Sequence, residues 1–420
     1  MATDLSFSII ERCPQVAPVE GVSARAGVIE TPHGSVQTPA FIPVGTKATV
    51  KTLTMDQVRT TGAQAVLSNG YHLYLQPGPD VVDAAGGLAA FERWDGPTFT
   101  DSGGFQVMSL GAGFGKLLAM DANVPEAEVI AAESKRNAQV DDDGVTFKSH
   151  IDGSYHRFTP EKAIAIQHAL GSDVMMAFDE LTALVNTRSY QEEALGRTHA
   201  WAKRCLEEHN RQTQARANKP LQSLWGVVQG ANHEDLRRKG ASDLEALSQS
   251  FEADGLRGFG GYGIGGAFEK HLLGTIVGWA TSSLPEDKPR HMLGISEPDD
   301  VFAAIDAGID TFDCVNPSRM ARRGFVYTLD GKINVKKAVG KHNHGPLDPT
   351  ATHPYGSAYS RAYLHHLFKG NEILGYVILT VLNVAFTVRM VADARQAIID
   401  GNYPEYRTEF LGRFYSADKR

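Results

Sequence analysis

The feature that most constrains the fold is a repeated unit, which recurs along the chain from about residue 60. Each unit consists of a short apolar run, a small or polar tip, and a segment with the apolar periodicity of a helix. Short apolar runs bounded by turn-forming residues are typical of buried strands, and strands that alternate with helices form parallel sheets. The seven apolar runs are AQAVLSNGYH, PTFTDSGGFQ, DVMMAFDE, LWGVVQG, GYGIGG, HMLGIS and TFDCV.

Seven runs are close to the eight strands of a closed barrel, and a predicted N-terminal hairpin, AGVIETPHGSVQTPAF, precedes them. The alternative is a doubly wound open sheet, but no glycine fingerprint follows a first strand. We therefore predict an α/β fold, a TIM-type (β/α)8 barrel over residues 1–330 that includes the hairpin and a long insertion at about 107–150. Residues 331–420 are predicted to form an appended, partly helical C-terminal subdomain packed on the barrel.

The boundaries of some helices can be predicted from their end residues. For residues 160–170, Thr159 is a suitable N-cap, Pro160 fits the first turn, and Gly171 follows the last turn. Further helices are predicted at 189–211, at 298–307 and around 384–400. The most apolar window, 376–386, is too short to span a bilayer and contains an asparagine, so a core helix is predicted and no membrane partner is expected.

The composition is that of a soluble globular protein, with 42% hydrophobic and 21% charged residues. The formal net charge of −8 gives no reason to expect nucleic acid, so such a partner would need a local basic patch. The three cysteines are far apart and odd in number, which fits a reducing cytoplasm better than a disulfide framework or a structural zinc site. The first residues show no signal-peptide pattern, and a cytoplasmic location is expected.

Candidate functional residues lie at the predicted strand ends, because the catalytic groups of such barrels sit at the carboxyl ends of the strands. These ends carry Asn69, Asp101, Ser102, Asp179, Glu180, Gln229, Gly265, Gly266 and Asp313. In a barrel, Asp101 and Asp313 face one pocket, and paired carboxylates serve displacement at an anomeric carbon, where one attacks and the other handles a proton. A metal hydrolase would need several histidines at these ends, and few are present.

Each of these residues also has a purely structural interpretation. Asp101 is as well explained by a tight turn and a helix cap as by a site whose glycines admit a ligand to the backbone. Asp179 suits bidentate recognition of a purine-like base, although an ion pair at the barrel rim is the commoner use of a lone aspartate. Gln229 suits either a base edge or simple capping.

A basic loop, SRMARRG, follows Asp313 closely and contains Arg319, Arg322 and Arg323. Guanidinium groups are suited to phosphates and base edges. A solvated loop is the commoner interpretation of such a run, but the position beside the candidate nucleophile favours a nucleic-acid contact.

Several motifs resemble those of the tRNA-guanine transglycosylases, also called queuine tRNA-ribosyltransferases. The resemblance runs in order from about residue 20 to the C-terminus. The motifs that carry it are TPAFIPVGTKATVKTLT, TDSGGFQVMSLG, DGVTFKSHIDGS, GSDVMMAFDE, VVQG, FDCVNPSRMARRG, GPLD and YSRAYLHHLF.

The resemblance implies a glycosyltransferase with a (β/α)8 barrel that exchanges the wobble guanine of certain tRNAs for a 7-deazaguanine. It implies that Asp313 is the nucleophile that forms a covalent ribosyl-enzyme, and that Asp101 is the general base for the incoming base. The residues implied to hold the base are Ser102, Gly103, Gly104, Phe105, Asp179, Gln229 and Gly266. The residues implied to contact the tRNA anticodon loop are Gly294, Glu297, Asp300, Ser318, Arg319, Arg322 and Arg323. A base in a single-stranded loop can be extruded at modest cost, and the family also implies a homodimer.

The first departure from the family concerns its structural zinc site, which has three cysteines in a C-x-C-x-x-C pattern and a later histidine. The matching positions here hold Ala351, His353, Gly356 and Leu382. Because all four ligands are replaced together, neither zinc nor another cofactor is expected. Replacement ligation by His353 with His342 or His344 is disfavoured. The residues expected to pack in place of the metal are Pro354, Tyr355 and Tyr359.

The second departure lies beside the expected position of the 7-substituent of the base. The loop GGAFEKH is shorter than usual, and Leu181 stands where bacterial members usually have cysteine. The identity of the incoming base, a queuine precursor, queuine or another deazaguanine, therefore stays open.

Two other functions remain open beside base exchange in tRNA. One is a paralogue that inserts a deazaguanine into DNA or an altered RNA, and the other is a non-catalytic RNA-binding subunit. The joint presence of Asp101, Asp179, Gln229 and Asp313 favours an active enzyme, because a binding module has no need of both nucleophile and base.

Overall fold

A computed structural model describes residues 5–109, 138–216 and 219–416 of the protein. The described strands are β1 (Ser6–Cys13), β2 (Ala24–Thr31), β3 (Gly34–Thr38), β4 (Ala40–Pro43), β5 (Val66–Asn69), β6 (Thr98–Asp101), β7 (Ala138–Asp141), β8 (Gly144–Lys148), β9 (Tyr155–Phe158), β10 (Val174–Met176), β11 (Ser223–Val228), β12 (Gly261–Ile264), β13 (Arg290–Met292), β14 (Thr311–Cys314), β15 (Phe325–Thr328) and β16 (Gly331–Asn334). The described α-helices are α1 (Met55–Thr60), α2 (Gly70–Leu75), α3 (Pro79–Ala84), α4 (Leu88–Glu92), α5 (Gly104–Ser109), α6 (Pro160–Leu170), α7 (Arg188–Ala215), α8 (Glu234–Ala253), α9 (Leu273–Thr281), α10 (Pro298–Asp306), α11 (Asn316–Arg322), α12 (Tyr355–Ala358), α13 (Arg361–Lys369), α14 (Ile373–Ile399) and α15 (Tyr403–Phe414).

Eight parallel strands form a closed barrel. Their order around the ring is β4-β14-β13-β12-β11-β10-β6-β5. The ring closes between β5 and the end of β4, where Val44 pairs with Leu67 and the Gly45 N–H donates to the Leu67 carbonyl at 2.7 Å. The predicted TIM-type (β/α)8 fold is confirmed, and the carboxyl ends of all eight strands meet at one mouth.

The seven predicted strands correspond to β5, β6 and β10 to β14. The eighth is β4, whose residues Ala40 and Phe41 the sequence pattern had assigned to the end of the hairpin. All four residues of β4 are buried. Since this strand follows β3 after a single residue, its pattern does not separate it from the hairpin.

Two predicted helices show that capping residues predict helix bounds better than apolar patterns do. Helix α6 has the predicted bounds, with the Thr159 side chain accepting from the Lys162 N–H and Gly171 at φ 70°. Helix α14 begins well before the predicted start near residue 384, because the apolar window at 376–386 belongs to the same helix. Although α14 is long and apolar enough to cross a membrane by length and composition, 67% of its most apolar window is buried inside the protein. It is a core helix, as predicted for that window.

The predicted insertion at 107–150 is described only at its two ends, and residues 110–137 lie outside the described part. Its second end belongs to a three-stranded antiparallel sheet of order β7-β8-β9. Phe147 in this sheet packs on Tyr71, with ring centroids 5.3 Å apart. Because Tyr71 lies just after β5, the sheet stands at the mouth of the barrel.

Candidate active site

Asp101 ends strand β6 beside Asn69, its register partner at the end of β5. One carboxylate oxygen, Oδ1, accepts from the N–H groups of Gly70 at 3.0 Å and Gly103 at 3.1 Å. The Asn69 amide donates to the other oxygen, Oδ2. Burial nevertheless raises the pKa of Asp101 to about 7, and the negative charge of Asp313 contributes to the rise. Asp101 can therefore hold or release a proton near neutral pH.

The local sequence explains how Asp101 acquires these donors. Asn69 caps helix α2 by accepting from the His72 N–H at 2.9 Å, which leaves its amide nitrogen free to face Asp101. Gly70 is needed for close packing, since a Cβ atom there would lie 2.7 Å from the Asp101 carbonyl oxygen. Gly103 has φ +80°, a conformation that favours glycine and turns its N–H toward the carboxylate.

Asp313 lies in strand β14, with 13% of its side chain exposed. Its Oδ1 accepts from the Gly294 N–H at 3.0 Å and lies 3.1 Å from Nε2 of His291. The neighbouring Cys314 is a weaker nucleophile candidate, because burial raises the pKa of its thiol to about 11. The group at this strand end that is fit to attack is the carboxylate.

The two carboxylates thus lie in different environments, and the charge of Asp313 helps to raise the pKa of Asp101. One buried acid retains a proton near neutrality, while the other is anchored by a backbone donor and an imidazole. Two carboxyl groups with such separated environments suit a division of roles between proton transfer and nucleophilic attack.

Asp179 and Gln229 form a hydrogen-bonded pair after the neighbouring strands β10 and β11. The Gln229 amide nitrogen donates to Asp179 Oδ2 at 2.6 Å, and burial raises the pKa of Asp179 to about 6. The amide oxygen of Gln229 is buried and lacks a hydrogen-bond partner in the described part of the chain. Since buried polar atoms are normally satisfied, this oxygen is poised for a donor on a ligand.

Two glycines allow the backbone to pack closely against this pair. A Cβ on Gly266, which has φ +104°, would lie 2.7 Å from the Gln229 amide oxygen and 2.9 Å from Nη2 of Arg237. A Cβ on Gly104 would lie 3.0 Å from the Asp179 carbonyl oxygen. The structure therefore brings together the predicted base-binding residues Gly104, Asp179, Gln229 and Gly266.

The remaining predicted base-binding residues lie on the same turn after β6. Ser102 is buried, and its hydroxyl oxygen accepts from the Gly104 N–H at 3.3 Å. Phe105, in the first turn of helix α5, is 52% exposed, so its ring is available to a ligand. An exposed aromatic ring close in the chain to Asp101 is suited to stacking on a planar base.

Some of the predicted RNA-binding residues have exposed side chains, and others are engaged in contacts within the protein. Arg319 and Arg323 are exposed, and neither has an ion pair with another described residue. The Arg322 guanidinium donates to the Ser318 carbonyl at 2.8 Å, and burial lowers its pKa. The hydroxyl of Ser318 is itself buried and donates to the Val315 carbonyl.

The acidic members of that set are engaged within the protein. Glu297 accepts from Lys332 at 2.6 Å and from the Asn316 amide at 3.1 Å. Asp300 is buried beside Lys270, at 3.3 Å. Gly294 directs its N–H at Asp313, so its role is tied to the nucleophile candidate.

Two residues of the site were missed from the sequence. His291 lies inside an apolar run rather than at its tip, and Arg237 lies in helix α8. The Arg237 guanidinium is buried and donates to the Gly265 carbonyl at 2.7 Å and the Val228 carbonyl at 3.2 Å. The sequence signal for His291 was a polar residue in a run predicted to be a buried strand, whereas Arg237 lies in a strongly polar helix that carries no such signal.

The positions that match the family's zinc ligands do not fit a metal here. Ala351, Gly356 and Leu382 have no ligating atoms. His353 already makes two contacts, because its Nε2 lies 3.2 Å from the Thr60 hydroxyl and its Nδ1 accepts from the Tyr355 N–H at 3.2 Å. Among the described residues, no group of three or more His, Cys, Asp or Glu side chains could hold a metal ion.

Side chains fill only part of this region, because a cavity of about 250 Å³ is lined by residues that include Ala351, His353 and Leu382. Leu382 belongs to a buried cluster with Leu347 and Leu364. Tyr355 packs edge-on against His353, with ring centroids 4.5 Å apart, and against Tyr359 at 5.4 Å.

Comparison with known proteins extends over almost the whole chain. The profile of one family, described as Queuine tRNA-ribosyltransferase, matches residues 20–416. A protein named queuine tRNA-ribosyltransferase from Pelotomaculum thermopropionicum is 41% identical over 398 residues, which cover 94% of this chain and 96% of that protein. The protein of the same name from Geobacillus kaustophilus is 39% identical over 414 residues, with 98% and 97% covered. The resemblance carried by the motifs is confirmed, and the chain belongs to the queuine tRNA-ribosyltransferase family, a family of pentosyltransferases.

Proposed function

We propose that this protein is a tRNA-guanine transglycosylase, which replaces a guanine of tRNA by a 7-deazaguanine through a covalent ribosyl-aspartate. The observation that carries the proposal is the pair of carboxylates at the barrel mouth. Asp101, with a pKa of about 7, is suited to proton transfer, and Asp313 is anchored for attack. The names of the similar proteins support ribosyl transfer to tRNA as the reaction.

In the first step, a carboxylate oxygen of Asp313 attacks C1′ of the nucleotide and the bond from C1′ to the base nitrogen breaks. The departing guanine takes the electron pair of that bond and a proton from Asp101. A carboxylic acid with a pKa near neutrality is suited to this donation, because it is partly protonated at physiological pH. The product is a ribosyl ester on Asp313 and a neutral guanine.

In the second step, the roles of the two carboxylates reverse. Asp101, now ionised, takes the ring N–H proton of the incoming base. The freed nitrogen attacks C1′, and Asp313 departs as a carboxylate. Both side chains regain their starting protonation states, so no cofactor is consumed.

Asp179, Gln229 and Gly266 are proposed to recognise the base. A guanine-like edge offers two N–H donors and a carbonyl acceptor. The Asp179 carboxylate and the unpartnered Gln229 oxygen match the donors, and the Gly266 backbone can approach the base without a Cβ in the way. Phe105 is proposed to stack on the ring.

The anticodon loop is proposed to bind across Arg319 and Arg323, whose guanidinium groups are exposed close to Asp313 in the chain. A local patch of this kind is required because the net charge of −8 repels a polyanion. A cytoplasmic homodimer that requires no zinc completes the proposal. The shortened GGAFEKH loop and Leu181 leave the substituent on the incoming base open.

The test is incorporation of labelled guanine into unmodified tRNA by the wild-type protein, by Asp313→Asn and by a matched control, Asp142→Asn, which removes an exposed carboxylate. We expect label to enter the tRNA with the wild type and the control, and not with Asp313→Asn. Incorporation by Asp313→Asn at the wild-type rate would exclude this residue as the nucleophile. Incorporation into DNA alone would favour the DNA paralogue, and tRNA binding without exchange would favour a binding subunit.

A further inference from the structure

We propose that His291 is a positioning residue for Asp313, which fixes one carboxylate oxygen so that the other performs the attack. The inference rests on the proposed function of Asp313 as the nucleophile. It assigns a role to a buried histidine of strand β13, whose register partner, Thr311, lies two residues before Asp313 in strand β14.

His291 lies in strand β13 and pairs in register with Thr311 of the neighbouring strand β14. Thr311 and Asp313 are two residues apart in that strand, so their side chains point to the same face. The imidazole spans them, with Nδ1 2.9 Å from the Thr311 hydroxyl and Nε2 3.1 Å from Asp313 Oδ1. The side chain of His291 is fully buried, so the imidazole itself has no contact with bulk water.

The two contacts select one tautomer of the neutral ring. An ionised carboxylate only accepts hydrogen bonds, so Nε2 must carry the proton that faces Asp313. Nδ1 is then an acceptor, and the Thr311 hydroxyl, which can donate, satisfies it. Thr311 therefore holds the imidazole in the form that serves Asp313.

The consequence concerns the two oxygens of Asp313. Oδ1 has two donors, the Gly294 N–H and His291 Nε2, whereas Oδ2 has no hydrogen-bond partner in the described part of the chain. Oδ2 is therefore the oxygen with its lone pairs free for attack on C1′. When the ester forms, Oδ1 becomes its carbonyl oxygen and keeps both donors.

The same contacts favour the second step. As the bond between C1′ and Oδ2 breaks, negative charge returns to the carboxylate, and donors already aimed at Oδ1 stabilise that charge. His291 thus orients Asp313 for formation of the ester and stabilises the carboxylate that departs on its breakdown, without exchanging a proton with substrate.

The test compares His291→Phe, which removes the donor, with His291→Gln, whose amide can place a donor near the position of Nε2. The measurements are the rate of appearance of the covalent adduct with unmodified tRNA on a denaturing gel, the kcat of guanine exchange, and the Kd for tRNA. Melting temperatures establish that each variant is folded. Thr311→Val serves as a second variant, because it removes the hydroxyl that fixes the tautomer and leaves His291 in place.

We expect His291→Phe to slow adduct formation and kcat about tenfold to hundredfold, because the attacking oxygen of Asp313 is no longer held in one orientation. His291→Gln should recover most of that loss, Thr311→Val should give a smaller loss, and the Kd for tRNA should change less than about twofold. The inference is overturned if His291→Phe forms the adduct at the wild-type rate, or if His291→Gln is as slow as His291→Phe, which would indicate packing alone. Absence of any adduct with wild-type protein would instead overturn the proposed function.

Discussion

Replacing Asp101 by asparagine should stabilise the protein, and the gain should depend on pH. The folded protein holds the Asp101 proton up to a pH of about 7, whereas the ordinary pKa of the group is 3.8. Between these values the folded state binds more protons than the unfolded chain, so the free energy of unfolding falls as pH rises. Asp101→Asn removes this proton linkage because an amide does not titrate in this range.

The expected magnitude follows from the same two pKa values. Since one pKa unit corresponds to about 1.4 kcal/mol, the wild-type protein loses about 4 kcal/mol at pH 8 through this group. The asparagine keeps the acceptor for Gly70 and Gly103, but its amide nitrogen faces the Asn69 amide, which costs about 1 kcal/mol at every pH. The net gain is about 3 kcal/mol at pH 8 and close to zero at pH 4.5.

The assay is thermal unfolding of wild type, Asp101→Asn and the surface control Asp142→Asn from pH 4.5 to 8.5. For 420 residues the entropy of unfolding is about 0.9 kcal/mol/K, so the variant should melt about 3 °C above the wild type at pH 8 and at about the same temperature at pH 4.5. Asp142→Asn should show no such trend. A difference for Asp101→Asn that is constant with pH, or a variant that melts lower at pH 8, would refute the assigned cause of the pKa shift.

Two further predictions concern the RNA surface and the lost zinc ligands. The double variant Arg319→Gln, Arg323→Gln should bind tRNA more weakly, and the slope of log K against log salt should fall by about 1 to 1.5. The control Lys239→Gln, on helix α8, should leave the slope unchanged. An unchanged slope in the double variant would place the RNA elsewhere. Purified protein should contain much less than one zinc per chain and should keep its melting temperature in a strong chelator. Stoichiometric zinc, with a lower melting temperature after its removal, would contradict the packing described around His353.

Much of the fold could be predicted because its signals are local. Helix α6 has the predicted bounds, since Thr159 and Gly171 act on the backbone directly beside them. Seven barrel strands were predicted because each ends in a small or polar tip. Strand β4 was missed because it follows β3 after a single residue, so its apolar pattern merges with that of the hairpin.

The candidate site likewise contains features that could be predicted from the sequence and features that could not. Asp101, Asp179 and Asp313 could be predicted because strand-end position is readable from the chain. The partners of these residues could not, because the contact of His291 with Asp313 depends on the register between two strands. Register is set by the closed barrel as a whole, and no short motif contains it.

Asp101 and Asp179 at the barrel mouth are compensated differently from Asp310 at the opposite end of strand β14, and this contrast supports the proposed site independently of any motif. Asp310, which precedes strand β14, is fully buried and is held by the Arg25 guanidinium, with contacts of 2.6 and 2.9 Å. At the mouth, Asp101 and Asp179 have no cationic partner among the described residues, and burial raises the pKa of both. A chain selected for stability alone would pair or remove these charges, because an uncompensated buried carboxylate is costly. Their retention at the carboxyl ends of the strands is what a site that moves protons requires.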